Sequence, residues 1–360
     1  MAEWAFSAKH TESSTFGTTR KPYNLAHVPA GSSGGTAAAI ASNLATIGLG
    51  TDTGNSIRGP SSHNALVGFR TTLGLISREG IVPLYLRNDV VGPMCRTVAD
   101  ATRVMQAMTG YDAADPITQR GVKFTPPNYT EFLDVDGLRE ARIGVLRELS
   151  EADVHPEVSA LFNQALVDME GLGATIVDPV VIPGFAELRQ SQWCETFRAD
   201  LEDFLSTYVK NDSIATLEDV VRIGSKNDYA RSNVEFSLTK EGRYGEQPEP
   251  CGDAYIDARR IAFREAIERT MDSLQLDAIV YPSWNHPPAL IDSFETQYLG
   301  DNSQIICPHT GQPGFSVPMG YTTGNLPAGI QFLGRMFSEP TLVKLSYGYE
   351  QGTLHRREPE

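Results

Sequence analysis

The apolar side chains of residues 142–177 recur with the periods of a strand, a helix and a second strand. Residues 142–146 form a short apolar run, and residues 155–171 place their apolar side chains on one face of a helix. Residues 174–177 then read as a further strand. This order is typical of proteins in which helices pack on a sheet, so the pattern predicts an α/β fold.

Further runs predict the remaining elements. We expect helices at residues 36–44, 98–109 and 339–351, and strands at residues 45–50, 277–281, 315–319 and 328–333. Residues 183–274 are mainly helical in pattern, with a loop rich in Gly, Pro and Glu at 241–252. We read residues 45–50 as a buried strand that ends at the turn residues 51–54.

The charge balance argues against nucleic-acid and membrane partners. The 360 residues include 30 Lys and Arg against 45 Asp and Glu, a net charge of −15. Such a surface repels phosphate backbones and anionic lipids. The first residues lack the basic start and apolar stretch of a secretory signal, and polar residues interrupt the small-apolar run at 34–50. We therefore expect a cytoplasmic protein.

The cysteines Cys95, Cys194, Cys251 and Cys307 are widely separated and form no Cys-x-x-Cys pair. This spacing is too sparse for a disulfide framework and does not match a zinc site. We expect free thiols, buried or partly buried, and no metal or other cofactor.

Two serines lie where a glycine-rich turn meets a predicted helix. In the run GSSGG at residues 31–35, backbone N–H groups and the positive end of the helix converge on Ser32 and Ser33, which favours negative charge. A structural interpretation is that one serine caps the helix. Phosphate binding is another alternative, although the run lacks the Gly-Lys-Ser/Thr ending of a P-loop.

A second turn follows the predicted strand, in the run GTDTGNSIR at residues 50–58. It has the position of a nucleophile turn, although it does not fit Gly-x-Ser-x-Gly. Successive N–H groups in such a turn can bind an anion and serve as an oxyanion hole. Alone, the turn is more often structural, but its combination with the first motif favours catalysis.

Together the two motifs resemble the hallmark of the amidase signature family: a Gly/Ser-rich turn, a small-residue helix and strand, and then Gly-Thr-Asp-x-Gly-Gly-Ser-Ile-Arg. The similarity continues through residues 60–68 and 89–94 and returns at 281–282 and 313–334. The resemblance implies an α/β/α layered fold around a mixed central β-sheet, and hydrolysis of a carboxamide C–N bond.

The resemblance also implies roles for the serines. Ser56 matches the nucleophile that is acylated. Ser32, whose preceding peptide bond is cis in the family, matches the serine that relays a proton from the nucleophile to a lysine. Ser33 lies beside it as a supporting residue.

The second turn would supply the oxyanion hole. Its donors would be the backbone N–H groups of Thr53, Gly54, Asn55 and Ser56. Asn55 replaces the family's second glycine, and Asn tolerates a positive φ better than other non-glycine residues. We interpret Asp52 and Arg58 as structural residues that hold the turn by hydrogen bonds.

No lysine of this chain matches the family's general base, which lies on an early strand ahead of the Gly/Ser turn. Lys9 and Lys21 are the nearest upstream, and we expect both to be solvated loop residues. We therefore expect residues 1–360 to form one amidase domain lacking its N-terminal part. Its sections would be a signature core at about 22–116, a variable, mainly helical section at about 140–274, and the rest of the core at about 275–352.

Three further residues are candidates for the site. His63 is close to Ser56 in sequence, but the family uses lysine and no histidine, so a structural role is favoured over that of general base. Trp284 and His286 follow the end of a predicted strand, where they would either line the substrate pocket or pack in the core.

The sequence favours a free-standing amidase that acts on a small-molecule amide, with a homodimer as the candidate assembly. Within the same family, the alternative is the A subunit of a tRNA-dependent amidotransferase, which passes ammonia to a partner. Asn55 and the continuation at residues 58–63 favour the free-standing enzyme. From a different class, the alternative is an inactive remnant with only a binding role.

Overall fold

A computed structural model describes residues 1–240 and 251–360. The strands are β1 (Glu12–Ser13), β2 (Gly17–Thr18), β3 (Ile47–Asp52), β4 (Val67–Arg70), β5 (Val90–Cys95), β6 (Arg142–Val145), β7 (Thr175–Val177), β8 (Ala278–Pro282), β9 (Gly314–Thr322) and β10 (Leu326–Leu333). The α-helices are α1 (Gly34–Ala41), α2 (Arg58–His63), α3 (Val98–Met108), α4 (Pro156–Gly171), α5 (Phe185–Leu188), α6 (Phe197–Phe204), α7 (Leu217–Ile223), α8 (Asp228–Leu238), α9 (Ala258–Ser273), α10 (Phe294–Gln297), α11 (Cys307–Thr310) and α12 (Glu339–Thr353).

A mixed sheet of eight strands runs through the described part of the chain, in the order β3-β5-β4-β9-β10-β8-β6-β7. β6 is parallel to β7 and to β8, whereas the other neighbours are antiparallel. α4 connects β6 to β7, as a parallel pair requires a crossover. β1 and β2 form a separate two-stranded ribbon.

Both faces of the sheet are covered by helices. In β8, Ala278 and Val280 enter the core that contains α3, α4 and α12. The alternate residues Ile279 and Tyr281 enter a second core, which contains α9 and α11. Because side chains along a strand point to opposite faces in turn, the helices form one layer on each side. The expected α/β/α fold with a mixed central sheet is confirmed.

α2 carries the second sequence motif onto the sheet, and all its residues are buried. Its close approach to β4 depends on Gly68, where a Cβ atom would clash with Ser61 Oγ. The helix follows directly after the turn at residues 53–56, so its packing fixes the position of that turn.

Most predicted elements are present with small shifts at their ends. The helix predicted at 155–171 is α4, and the strands predicted at 142–146, 174–177 and 277–281 are β6, β7 and β8. β4, β5 and α2 were not predicted from the sequence. No helix in residues 1–240 or 251–360 combines the length and the apolar character needed to cross a membrane.

The prediction of a buried strand at residues 45–50 is wrong in part. The strand forms as β3, but it lies at one end of the sheet and pairs with β5 alone among the described strands. Its residues Ile47 and Leu49 are each 49% exposed. Its apolar composition did not reveal this, because a short apolar run looks the same at an edge and at the centre of a sheet.

The prediction of free cysteines is also wrong in part. Cys194 and Cys251 form a disulfide, with Cα atoms 6.1 Å apart, whereas Cys95 and Cys307 are buried free thiols as expected. The disulfide spans 57 residues, and only the tertiary fold brings its ends together. The loop predicted at residues 241–252 lies outside the described residues except for its last two positions.

Candidate active site

The turn after β3 forms the floor of a cleft of about 280 Å³. The floor consists of Thr53, Gly54, Asn55 and Ser56. The walls include Phe6, Leu84, Tyr85, Trp193, Phe236 and Gln304. A largely apolar, aromatic wall above a few convergent polar groups is the usual construction of a small-molecule site.

The two sequence motifs meet at the carbonyl group of Ala8, which also lines the cleft. This oxygen accepts a hydrogen bond of 2.9 Å from the backbone N–H of Gly31 and one of 3.4 Å from Asn55 Nδ2. A residue far from both motifs in sequence therefore joins the Gly/Ser turn to the second turn.

The two serines of the first motif have different environments. The side chain of Ser33 donates a 3.3 Å hydrogen bond to the Thr51 carbonyl and makes no capping bond to α1. Ser32 is fully buried, and its Oγ has no hydrogen-bond partner among the described residues. The Gly31–Ser32 peptide bond is cis, which is the isomer that the family resemblance implies. Neither serine therefore caps the helix through its side chain.

Ser56 is 5% exposed and lies on the cleft floor. Its hydroxyl group donates a long hydrogen bond of 3.5 Å to Asn55 Oδ1. Asn55 does not adopt a positive φ, so this turn does not use the tolerance of asparagine for left-handed backbone. Asn55 instead adds an amide group beside the candidate nucleophile.

Asp52 holds the turn together from below. Its carboxylate accepts bonds of 3.1 and 3.0 Å from Nε and Nη2 of Arg58, and one of 2.8 Å from Arg70. All three side chains are fully buried. Arg58 Nη2 also donates a 2.7 Å bond to the Gly54 carbonyl. The expected structural role of Asp52 and Arg58 therefore agrees with their contacts.

The close contacts within the cluster of Asp52, Arg58 and Arg70 keep these three side chains charged. Burial alone would raise the pKa of Asp52, but the guanidinium groups of Arg58 and Arg70 outweigh it and lower the pKa to about 2. Burial alone would lower the pKa of Arg58, but the ion pair with Asp52 outweighs this effect and raises it. The cluster therefore stays ionised near neutral pH and acts as neither acid nor base.

A second carboxylate, that of Asp89, supports the same turn. It accepts a 2.5 Å hydrogen bond from the hydroxyl of Thr53 and bonds of 2.9 and 3.0 Å from the backbone N–H groups of Leu84 and Tyr85. It thus ties the cleft floor to one wall. Asp89 lay in the matched run at 89–94, but the sequence did not show which atoms it contacts.

The expectation that Lys21 is solvated is wrong. Its side chain is fully buried, with Nζ 4.9 Å from the ring centroid of Tyr23, and burial lowers its pKa well below the usual value. Neither Lys21 Nζ nor Ser32 Oγ has a hydrogen-bond partner among the described residues, so they are not bonded to each other. Lys9 is only partly exposed and pairs with Glu295 at 2.7 Å.

His63 lies in the core rather than in the cleft. It is buried at the end of α2, its ring is 4.5 Å from that of Trp284, and it is not a lining residue. Burial, and then the nearby Lys21, lower the pKa of its imidazole to about 3. These features support the structural interpretation of His63.

We expect His63 to make the protein sensitive to acid. Its pKa is about 3 when folded and about 6.5 when unfolded, so protonation favours the unfolded chain. The free energy of unfolding should fall by up to about 1.4 kcal/mol per pH unit below pH 6.5. Urea unfolding of the wild type and of His63→Leu at pH 7 and pH 5 measures this effect. Parallel pH dependences of the two proteins would contradict the prediction.

Trp284 and His286 do not line the described cleft. Trp284 is buried and its indole N–H donates a 2.6 Å bond to the Leu299 carbonyl. The ring of His286 bonds to the Asp153 carbonyl at 2.7 Å. Of the two roles that the sequence left open, the contacts of Trp284 support packing, whereas His286 is partly exposed and contacts the exposed residue Asp153.

Comparisons with known proteins decide the family. The family model described as Amidase matches residues 1–343. The chain belongs to the amidase family. The predicted resemblance to amidase signature enzymes is confirmed, and this membership supports a hydrolase or amidotransferase that acts on amides.

Individual members of the amidase family resemble the chain over its whole length. A probable amidase from Arabidopsis thaliana is 31% identical over 369 residues, which cover 100% of this chain and 68% of the relative. The A subunit of the glutamyl-tRNA(Gln) amidotransferase of Myxococcus xanthus is 34% identical over 372 residues, 98% of this chain and 72% of the relative. The structure of native peptide amidase from Stenotrophomonas maltophilia has a TM-score of 0.82 at 33% identity, and the match covers 100% of this chain and 74% of that one.

Proposed function

We propose that this amidase hydrolyses the C–N bond of a small-molecule carboxamide through an acyl-enzyme formed on Ser56. The observation that carries the proposal is the placement of Ser56 on the cleft floor, inside a turn that the buried Asp52 carboxylate holds. The turn places four successive residues, Thr53 to Ser56, along the cleft. The cleft volume of about 280 Å³ suits a small molecule.

The reaction begins with attack of Ser56 Oγ on the carboxamide carbon. The carbonyl oxygen becomes an anion, which the backbone N–H groups of residues 53–56 stabilise. During the attack, Ser56 passes its proton through Ser32 to a base. The C–N bond then breaks, and the leaving nitrogen receives that proton. Water attacks the resulting ester, releases the carboxylic acid and restores Ser56.

The same geometry favours one other function from a different class. Ser32 Oγ has no partner among the described residues, and a relay serine must pass its proton onward to a base. Without that base, the cleft would bind an amide and not cleave it. A binding protein without turnover is therefore the second candidate function.

Acyl transfer to hydroxylamine separates the candidates. The purified protein is incubated with primary carboxamides, with and without hydroxylamine, and ammonia, acid and hydroxamate are measured. We expect ammonia and acid in equal amounts, and hydroxamate when hydroxylamine competes with water for the acyl-enzyme. Ammonia release without any second protein would also separate a free-standing amidase from one component of an amidotransferase.

A matched variant completes the experiment. Ser33→Ala removes a neighbouring buried hydroxyl that bonds to the Thr51 carbonyl, and it should retain hydroxamate formation, whereas Ser56→Ala should lose it. Carboxamide binding by the folded wild type without ammonia or hydroxamate would contradict the hydrolase and support the binding protein. A homodimer remains our proposed assembly, which light scattering of the same sample tests.

A further inference from the structure

Gln304 stands opposite the oxyanion turn and has no role in the mechanism above. It is the last residue of the short helical turn Asn302–Gln304 and lines the cleft together with Ser56. Its side chain covers Gly54 so closely that a Cβ atom added there would lie 3.1 Å from Gln304 Oε1 and 3.4 Å from Cδ. The glycine of the turn thus leaves space for this amide.

The amide nitrogen of Gln304 donates hydrogen bonds to two neighbouring side chains. Nε2 donates a 2.9 Å hydrogen bond to Asp301 Oδ2 and a second bond to the hydroxyl oxygen of Tyr298. The Tyr298 hydroxyl in turn donates a 2.7 Å bond to the same carboxylate oxygen. Both amide hydrogens are therefore engaged on the side away from the cleft floor.

This network determines which way the amide of Gln304 faces. Burial raises the pKa of Asp301 to about 6, so at pH 8 the group is a carboxylate that only accepts hydrogen bonds. A flipped amide would place its oxygen against that carboxylate and lose the hydrogen bond from Nε2 to Asp301. Gln304 Oε1 consequently faces Gly54, and no described residue donates a hydrogen bond to it.

The cleft floor therefore presents backbone N–H donors to a ligand, and the acceptor oxygen Oε1 of Gln304 lies directly beside them. A primary carboxamide has the complementary edge, since its carbonyl oxygen lies next to an N–H on the same side. A trans secondary amide carries its N-substituent at that position and its N–H on the opposite side. A methyl group there would meet Gln304 Oε1 and leave that oxygen without a donor.

We infer that Gln304, held by Asp301 and Tyr298, selects primary carboxamides over N-substituted amides, so that ammonia is the leaving group. This inference rests on the proposed function for the identity of the cleaved bond. The selection itself acts on binding and does not depend on turnover.

The test measures binding of a matched pair of probes, phenylacetamide and N-methylphenylacetamide, by ligand-observed NMR titration at pH 8. We expect the wild type to bind the primary amide about five- to tenfold more tightly, which is the range that one neutral hydrogen bond provides. Gln304→Met keeps the length of the side chain and removes the acceptor, so the ratio should fall to about one.

Two other variants make the outcome specific. Asp301→Asn keeps Gln304 but supplies a donor, which lets the Gln304 amide flip, so the ratio should fall here too. Phe236→Leu alters another residue of the cleft wall and should change both dissociation constants by the same factor. Circular dichroism confirms that each variant is folded.

Equal binding of the two probes by the wild type would overturn the inference, and so would an unchanged ratio in Gln304→Met or Asp301→Asn. Absence of binding of both probes to the folded wild type would overturn it as well. Failure of the proposed function is distinguishable, because it appears as a Gln304-dependent binding ratio without hydroxamate formation. Hydroxamate formation with a ratio independent of Gln304 contradicts this inference alone.

Discussion

Replacing Ser32 by alanine should slow acylation of Ser56 by a factor of about 10²–10⁴, the usual contribution of a proton-transfer group. Ser32 is fully buried and its hydroxyl has no structural hydrogen bond among the described residues. Loss of this hydroxyl should therefore leave stability nearly unchanged and act on the chemical step. The rate of labelling by a fluorophosphonate probe measures acylation directly.

Ser33 provides the matched control for this experiment. It is the adjacent residue and is also buried, but its hydroxyl donates a hydrogen bond to the Thr51 carbonyl, whereas the Ser32 hydroxyl has no partner among the described residues. Ser33→Ala should label within about threefold of the wild-type rate, since it loses one weak hydrogen bond. Equal rates for Ser32→Ala and Ser33→Ala would mean that Ser32 is not a relay.

Removal of the Asp52 carboxylate should destabilise the fold by about 3–5 kcal/mol, because a buried charge would be left without its partner. In Asp52→Ala, Arg58 and Arg70 both remain buried beside an empty position, and the turn loses the acceptor for the Ile57 N–H. Activity should fall together with stability. Urea unfolding at pH 7 measures the free-energy change.

An exposed ion pair is the control for the loss of the buried Asp52 carboxylate. Asp136 and Arg139 bond at 2.9 Å, with side chains 62% and 68% exposed, so Asp136→Ala should cost less than about 1 kcal/mol. Because the pKa of Asp52 is lowered to about 2, its stabilisation should persist at neutral pH and decline as the pH falls from 3.8 toward 2. A loss in Asp52→Ala no larger than in Asp136→Ala would contradict this account.

Much of the fold could be predicted from periodicity alone. α4 and the strands β6 and β7 carry clear patterns because each presents an apolar face to a core. α2 and β4 were not predicted, since their residues include Pro60, Ser61 and Gly68, which signal turns when read locally. Tertiary packing overrides that local signal in these segments, where every side chain is buried.

The candidate site was predictable only where its residues belong to one continuous motif. Ser56 and Ser32 lie in glycine-rich turns whose spacing is informative by itself. Gln304 is separated from Gly54 by most of the chain, and its role depends on an orientation set by Asp301. The burial of Lys21 and the disulfide of Cys194 and Cys251 likewise follow from which loops cover which surfaces, and a local pattern does not encode this.

The identity of the residue that reacts with a fluorophosphonate probe shows whether Ser56 is the nucleophile. Intact mass followed by tandem mass spectrometry of a digest locates the adduct. We expect a single adduct on Ser56 of the wild type and none on folded Ser56→Ala. An adduct on a different serine, or no adduct on the folded wild type, would contradict the assignment of Ser56 as the nucleophile.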